Sequence, residues 1–229
     1  MEHALVPRKK TTGRSTSPLS KEKVIQSALE LADEGGVTSL TMRKLAEKLG
    51  VEAMSLYYHV ANKNEILDAI LDAIFSEIQL PDPNDDWKTA MRKRATSARE
   101  VVLRHKWAVS LMESPPNPGP ATMQHHNQVL KALRTNGFTL PMAAHAFSLI
   151  DSYVYGFVMQ EEALPFETEE ELKAVADGIM AQFPIEEFPY IGEMIVDHAL
   201  KAGYSYKKEF EFGLDLILDG LERASTEEE

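Results

Sequence analysis

The chain of 229 residues contains no cysteine. Disulfides, thiolate metal ligands and a cysteine nucleophile are therefore excluded. No apolar run approaches the ~20 residues that are needed to cross a bilayer. The N-terminal stretch MEHALVPRKKTTGRS lacks the continuous apolar segment of a secretory signal. From these absences we expect a cytoplasmic protein without a membrane-spanning segment.

The sequence motifs of several enzyme classes are also missing. There is no G-x-S-x-G, no nucleotide-binding glycine loop, no H-E-x-x-H and no Glu-x-x-His pair of the di-iron type. Strand-like alternation of β-branched residues and repeats of solenoid length are absent too. We therefore predict a protein that is not an enzyme and that contains no sheet.

Charge is distributed unevenly along the chain. The formal net charge is −12, with 44% hydrophobic and 26% charged residues, which is typical of a globular protein with a developed core. Residues 1–67 hold 10 Lys/Arg and 8 Asp/Glu, a balance of +2, whereas the remainder holds 14 and 28. The chain thus has a mildly basic head and an acidic body, and only the head has a charge that suits nucleic acid.

Helical periodicity covers most of the chain after residue 18. The first helix begins after the N-cap Ser20 and stops at Gly35-Gly36, where glycine permits a left-handed conformation. Three more helices are predicted from Thr41 to Gly50, from Ala53 to Val60 and over 63–79. The Pro- and Asp-rich stretch Leu80–Asp86 then breaks the pattern. Further helices are predicted over 86–106, 107–113, 121–136, 141–163, 168–183, 189–202 and 206–223.

This pattern predicts an all-α fold with an N-terminal helix-turn-helix domain of three helices and a larger C-terminal helical domain. We assign residues 1–18 to a flexible basic arm, 19–67 to the helix-turn-helix domain and 68–229 to the C-terminal domain. The fourth helix belongs to both domains, because it leaves the head and enters the body.

The helices on either side of Gly50 have the arrangement that enters the DNA major groove. Inward-facing residues such as Leu45, Leu56 and Val60 form a small core. Two tyrosines and a histidine in succession cannot all face one core on a helix. Two alternatives remain open at this point: the tyrosines as half-buried core residues, and a helix pair that never contacts DNA.

The segments GVTSLTMRKLAEKLGV (36–51) and SLYYHVANK (55–63) closely resemble the N-terminal domain of the TetR family of bacterial transcriptional regulators. The body more loosely resembles the tetracycline-repressor-like branch of that family. The resemblance implies that the third helix reads a palindromic DNA operator as part of a homodimer. It also implies a small organic effector that releases the protein from DNA, with repression as the default outcome.

By resemblance, ten positions of the head contact double-stranded DNA: Thr41, Met42, Arg43, Ala53, Met54, Ser55, Tyr57, Tyr58, His59 and Lys63. Tyr57 and His59 are expected to reach phosphates, and Ser55 and Tyr58 to reach base edges or a thymine methyl. The basic residues of the arm, Arg8, Lys9, Lys10 and Arg14, either add DNA contacts or belong to a solvated tail.

The dimer interface of such proteins is a four-helix bundle, for which we assign the segments 141–163 and 206–223. Their apolar residues either face the partner or belong to the core of one chain. The members are Ala143, Ala144, Phe147, Ile150, Val154, Phe157, Phe210, Phe212, Leu214, Ile217, Leu218 and Leu221.

An effector pocket is expected within residues 86–183, where polar and aromatic residues interrupt apolar helices. The candidates are His105, Trp107, Met112, Met123, His126, Asn127, His145, Asp151, Tyr155 and Met159. Taken singly, each is more often a structural residue, since methionines fill gaps in cores and histidines are often satisfied there. The family's magnesium-dependent members have metal-ligand positions that find no match here, so neither a metal nor another cofactor is predicted.

One competing interpretation keeps the DNA-binding head but has the body dock a protein instead of a small molecule. The proline-rich loop 114–120 and the acidic residues Glu227, Glu228 and Glu229 are the features that suit such a partner. An all-α enzyme is the other alternative, and turnover of a bound ligand would support it.

Overall fold

The computed structural model describes residues 18–112, 117–183 and 185–227. In these ranges every regular element is a helix, which confirms the all-α prediction. The predicted basic arm, with Arg8, Lys9, Lys10 and Arg14, lies almost wholly outside the described residues. So do residues 113–116 of the proline-rich loop, together with Glu228 and Glu229.

The head consists of α1 (Lys21–Ser39), α2 (Met42–Leu49) and α3 (Ala53–Leu56). Ser20 caps α1 and Thr41 caps α2, each by accepting a hydrogen bond from the amide three residues later. The helical dihedrals of α1 are broken at Gly35-Gly36, as the glycine pair predicts. Gly50 ends α2 at φ 68°, a left-handed conformation that glycine adopts without steric cost.

The third helix is shorter than predicted. It was expected to run to Val60, but regular α-helix ends at Leu56 and the next residues form tight turns. The amides of Tyr57, Tyr58 and His59 donate to carbonyls three residues back instead of four. Leu56 and Val60 on either side of these turns are both buried, so the segment remains anchored in the core of the head.

The fourth helix, α4 (Lys63–Glu77), leads from the head into the body. The body contains α5 (Trp87–Arg104), a 3₁₀ turn (Lys106–Ala108), α6 (Val109–Met112), α7 (Pro120–Thr135), α8 (Leu140–Glu162), α9 (Glu169–Gln182), a 3₁₀ turn (Ile185–Glu187), α10 (Pro189–Glu193), a π-helix (Met194–Ala199) and α11 (Tyr206–Glu227). The segment predicted as one helix over 189–202 is therefore divided between α10 and the π-helix.

A continuous apolar core runs through the head and the body, and α4 lies within it. Its buried residues are Ile66, Ile70, Leu71, Ile74 and Phe75. The helix packs against α1 on one side and against α7 and α5 on the other. One helix is therefore buried against both the head and the body.

Most apolar residues that were assigned to a dimer interface belong to the core of the single chain. On α8 these are Ala143, Ile150 and Val154, and on α11 they are Phe210, Leu214, Leu218 and Leu221. Phe147, Phe157 and Ile217 are partly buried against the same core. Ala144 and Phe212 are exposed, so the outer faces of the two helices keep only a few apolar groups. The reason is that both helices already use their apolar stripes to pack against α5.

Candidate nucleic-acid interface and effector cavity

Three large side chains project from the outer side of α3 and the turn after it. Met54 is 72% exposed, Tyr57 46% and Tyr58 88%, although each is mainly apolar. Ser55 and His59 lie beside them and are half-buried. Adjacent exposed apolar side chains do not stabilise a single chain, and patches of this kind mark surfaces that bind a partner. Met54, Tyr57 and Tyr58 therefore form a candidate contact surface.

The neighbouring N-terminus of α2 presents further polar groups. Thr41 and Arg43 are exposed, and Thr41 also caps the helix. The exposed N–H groups of a helix N-terminus attract an anion, and the Arg43 guanidinium adds a formal positive charge. Met42 and Ala53, by contrast, are half-buried and pack against the core of the head. These two predicted DNA-contacting residues therefore also contribute to the packing of the head.

Lys63 begins α4 and is half-buried, with its ammonium group donating to the Val37 carbonyl at 3.2 Å. This bond ties the start of α4 to the end of α1 and leaves other ammonium hydrogens for an additional partner. Lys48, on the opposite side of α2, is held by Glu30 and Glu34 of α1. Its charge is therefore compensated within the head.

In the body, a cavity of about 560 Å³ opens on α8. It brings together five predicted residues, Met112, His126, Asp151, Tyr155 and Met159. Sequence reasoning missed the rest of the lining, which consists of Phe147, Ser148, Ser152 and Gly156. These residues follow one another at helical spacing from Asp151 along a single face of α8, so a helical projection through Asp151 would have found them.

Asp151 and Tyr155 of the lining also belong to a buried polar cluster that connects three helices. Arg94 of α5 is 1% exposed and forms an ion pair with Asp151 of α8. Its Nε donates to Nε2 of His125 on α7 at 3.0 Å. The Tyr155 hydroxyl lies 3.5 Å from the other oxygen of Asp151. Arg94 interrupts the buried stripe of α5, and this is the sequence signal that would have identified it.

Burial determines the protonation states in this cluster. It lowers the pKa of His125 to about 3, with a contribution from the Arg94 charge, and it also lowers the pKa of His126. Burial raises the pKa of Tyr155, and the Asp151 charge acts in the same direction. Both histidines and the tyrosine are therefore neutral near pH 7.

A second cavity of about 530 Å³ lies between α5, α11 and the segment that joins α8 to α9. Arg99, Glu161 and Lys106 are among its lining residues, and Arg99 forms an ion pair with Glu161. None of the ten predicted effector residues lines it. The cavity on α8 differs in that five of the ten predicted effector residues line it.

Two of the predicted effector residues, His105 and Trp107, instead connect the body to the head. Nδ1 of His105 and Nε1 of Trp107 each lie 2.7 Å from the same carboxylate oxygen of Asp33 on α1. Nε2 of His105 lies 3.4 Å from Glu77 at the end of α4. These residues are satisfied by structural partners, which explains why polar side chains appear in an apolar segment there.

Met123, Asn127 and His145 are exposed and line neither cavity described above. Met123 and Asn127 lie on the outer side of α7, whose inner side carries His125 and Val129. His145 lies on the outer side of α8 between the buried residues Ala143 and Ala146. Residue type alone selected these three, whereas their position on the helix excludes them from the cavity.

The cavity on α8 is connected to α4 through α7. The rings of His125 and His126 pack against Phe75 of α4, with centroids 5.5 and 5.4 Å away. Asp72 of α4 accepts hydrogen bonds from the backbone amides of Ala121 and Thr122 at 3.2 and 2.8 Å, and from the Thr122 hydroxyl at 2.9 Å. A side chain on α4 thus supplies the cap of α7.

The fold and these surfaces define a class of protein: a helix-turn-helix head on a helical body that contains a ligand-sized cavity. Residues 24–70 match the family described as "Bacterial regulatory proteins, tetR family", and residues 80–225 match the "Tetracyclin repressor-like, C-terminal domain". The chain belongs to the TetR family of transcriptional regulators, whose members are not enzymes.

Relatives of known role support this assignment. A transcriptional regulator of Saccharopolyspora erythraea is 36% identical over 149 residues, which is 65% of this chain and 63% of that protein. The class A tetracycline repressor of Escherichia coli is 32% identical over 89% of this chain and 90% of its own. The Streptomyces coelicolor protein ActR, solved in complex with actinorhodin, has a TM-score of 0.77 at 26% identity and covers 93% of this chain and 100% of its own.

Two further properties concern the described residues only. None of the helices in 18–112, 117–183 and 185–227 is long and apolar enough to span a membrane. In the same part of the chain, no group of three or more His, Asp or Glu side chains is arranged to hold a metal ion.

Proposed function

We propose that this regulator is a repressor that binds a palindromic operator as a homodimer and leaves it when a small organic effector enters the cavity on α8. The single observation that supports the operator-binding part best is the exposed group Met54, Tyr57 and Tyr58. These side chains contribute little to the core of the head and stand beside the N-terminus of α2.

The arrangement of the head suits major-groove binding. Met54 and Tyr58 are the most exposed of the three and suit base edges and thymine methyls. Tyr57, His59, Thr41 and Arg43 surround them with groups that bind phosphate oxygens. In a symmetric dimer the two heads would lie about one turn of DNA apart, ~34–36 Å.

The outer faces of α8 and α11 support dimerisation. Leu149 on α8 and Phe212 and Leu216 on α11 are large, apolar and exposed in the single chain. Phe212 and Leu216 are four residues apart and therefore lie on the same side of α11. Exposed apolar side chains on two neighbouring helices suit a four-helix bundle between two copies.

Effector binding would be transmitted to the head by α4. A ligand that displaces His126 would also move α7, whose first turn is held by Asp72 and whose rings contact Phe75. Because α4 begins at the head, this motion would change the separation of the two recognition surfaces. The linked free energy needed for such regulation is about 1–3 kcal/mol.

The operator is the first target for an experiment. The purified protein selects from a randomised duplex library, and the enriched duplex is titrated by fluorescence anisotropy over a range of salt concentrations. Tyr58→Ala is compared with Tyr190→Ala, which removes an equally exposed tyrosine from the body. An enriched palindrome whose affinity falls only with Tyr58→Ala supports the proposal. Failure to enrich any site, or equal behaviour of both variants, would overturn it.

One observation favours a second candidate, in which the body docks a protein. Between Phe183 and Val196 six large apolar side chains are exposed: Phe183, Phe188, Tyr190, Ile191, Met194 and Val196. Thermal-shift screening separates the candidates, because only the effector mechanism requires a small molecule that stabilises the body. Operator binding without any stabilising compound would favour the docking function.

A further inference from the structure

The second cavity, between α5, α11 and the segment that joins α8 to α9, is lined by a carboxylate with an unsatisfied oxygen. Glu162 lies at the C-terminal end of α8 and is one of the lining residues. Its Oε1 atom is buried and has no hydrogen-bond partner among the described residues. An unsatisfied buried acceptor is unfavourable, so a donor that reaches Glu162 from the cavity would be bound favourably.

The carboxylate of Glu162 belongs to the cavity wall itself. The side chain is only half-buried, although its Oε1 atom is covered. The terminal torsion of a glutamate is broad and two-fold, so rotation about it exchanges the two oxygens. Both oxygens of an ionised carboxylate accept hydrogen bonds. A cation inside the cavity therefore pairs with Glu162 without a rearrangement of the backbone.

The charges of the whole lining favour a cation. The formal balance of the lining is −1, because it contains the carboxylates of Glu161, Glu162, Glu167 and Glu169 and the cations Arg99, Lys106 and Lys207. Arg99 and Glu161 are paired with each other. One additional positive charge would neutralise the lining, and an anion would add to its negative charge. Residues 68–229, with 14 basic and 28 acidic residues, also attract cations at longer range.

The cation inside the lining that influences Glu162 most is Lys106. Burial raises the pKa of Glu162, whereas the Lys106 charge lowers it and the Glu161 charge raises it further. Lys106 is exposed and lies in the 3₁₀ turn after α5. It forms no hydrogen bond with Oε1 of Glu162. A ligand cation would therefore meet electrostatic competition from Lys106 but would not have to break a hydrogen bond to this oxygen.

Aromatic rings supply the apolar part of the same lining. Phe166, Tyr204 and Tyr206 all belong to it. Tyr206 also packs against Phe157 of α8, with ring centroids 4.8 Å apart, which holds this ring in place. Burial raises the pKa of both tyrosines, so they are neutral near pH 7. Neutral aromatic faces attract an ammonium group and also pack against an apolar ligand.

We propose that the second cavity binds an organic amine in its ammonium form, with Glu162 as the counter-ion. The ammonium group donates to the Glu162 carboxylate, and the apolar part of the ligand lies against Phe166, Tyr204 and Tyr206. The volume of about 530 Å³ admits an amine that carries a ring system. No residue lines both this cavity and the cavity on α8. The amine site therefore does not depend on the proposed operator and effector functions.

The test uses three probes that share an indole ring and differ in charge. Tryptamine carries an ammonium group, tryptophol carries a hydroxyl group instead, and indole-3-propionate carries a carboxylate. Their affinities are measured by calorimetry on the full-length protein.

Three variants are compared with wild type, after a thermal melt confirms that each is folded. Glu162→Gln removes the charge of the proposed counter-ion and keeps its shape. Lys106→Met removes the competing cation. The matched control Glu100→Gln removes an exposed carboxylate of α5 that lines neither cavity.

Wild type should bind tryptamine at least about tenfold more tightly than tryptophol, because hydrogen bonds between charged groups are the stronger ones. Indole-3-propionate should bind more weakly than either. Glu162→Gln should abolish the preference for tryptamine, and Glu100→Gln should keep it. Lys106→Met should tighten tryptamine binding about threefold, because it makes the lining more negative. A general disturbance of the cavity would weaken binding in both lining variants, so the opposite signs identify a charge interaction.

Equal affinity of wild type for tryptamine and tryptophol, or tighter binding of indole-3-propionate, would overturn the proposal. So would a preference for tryptamine that survives Glu162→Gln, or weaker tryptamine binding by Lys106→Met. Absence of tryptamine binding at millimolar concentration would have the same consequence. If Glu162→Gln does not fold, the three probes on wild type and on Lys106→Met decide the question.

Discussion

The head and the body of this protein differ in where their candidate functional side chains lie: those of the head are exposed to solvent, and those of the body are buried. In the head, Met54 and Tyr58 stand in solvent over a small core that does not depend on them. In the body, Arg94, His125 and Asp151 are buried and hold three helices together. A change in the head should therefore affect binding without affecting folding, whereas a change in the body should affect both.

The largest expected effect comes from breaking the buried ion pair. Asp151→Leu leaves the Arg94 charge buried without its carboxylate, and we expect unfolding free energy to fall by about 3–5 kcal/mol. Urea denaturation measures this loss. Removing both charges in Arg94→Met/Asp151→Leu should restore most of it. A single variant within about 1 kcal/mol of wild type would show that the pair is hydrated in solution.

Lowering the pH should also destabilise the folded protein, through the protonation of His125 in the body. The unfolded ring binds a proton near pH 6.5, whereas the pKa of the folded ring is about 3. Protonation therefore favours the unfolded chain, and this contribution to stability is lost as pH falls from 6.5 towards 3. At pH 5 the loss should be about 2 kcal/mol. The test measures the free energy of unfolding of wild type and His125→Gln between pH 7.5 and 5. The same pH dependence in both proteins would contradict the prediction.

In the head, Tyr58→Ala should weaken operator binding about tenfold, or about 1.4 kcal/mol, while stability stays within about 0.5 kcal/mol. The side chain is almost fully exposed, so its removal leaves no cavity. Anisotropy titration measures the operator affinity, and thermal melting of the same sample measures the stability. A large fall in melting temperature would place Tyr58 in the core of the head.

The smallest expected effect comes from the contact between α4 and α7, which links the two regions. Asp72→Ala removes the link between α4 and the first turn of α7, and we expect about 1 kcal/mol less coupling between effector and operator. The operator affinity that is measured without effector should change little. The ratio between the operator affinities with and without effector should change more. The substitution Gly119→Ala tests the same link, because a Cβ at this position would collide with the Asp72 carboxylate. An unchanged affinity ratio in both variants would exclude this link.

Helix boundaries were predictable where local chemistry defines them. Ser20 and Thr41, at which the first two helices were predicted to begin, each accept a capping hydrogen bond. Such caps act over three residues and need no tertiary contact. The end of α3 was not predictable, because no glycine or proline marks the tight turns at Tyr57–His59 and the spacing of Leu56 and Val60 also fits a continued α-helix.

The cavity was only partly predictable. Choosing polar and aromatic residues in apolar helices found His126, Asp151 and Tyr155, but the same rule also selected His105 and Trp107. A satisfied histidine and a ligand-contacting one look the same in a sequence. Asp33, which engages both His105 and Trp107, lies more than seventy residues away from them in the chain.

The sequence by itself determined the fold class, the recognition motif and the capped helix starts, because these depend on periodicity and on interactions between residues a few positions apart. Only the tertiary structure joined Arg94 to His125 and Asp151, which are 31 and 57 residues away. The physical reason is that a buried charge is tolerated only when distant segments deliver its partners together. Whether an acidic or basic residue in a helix becomes a surface group or part of a site is decided by that packing.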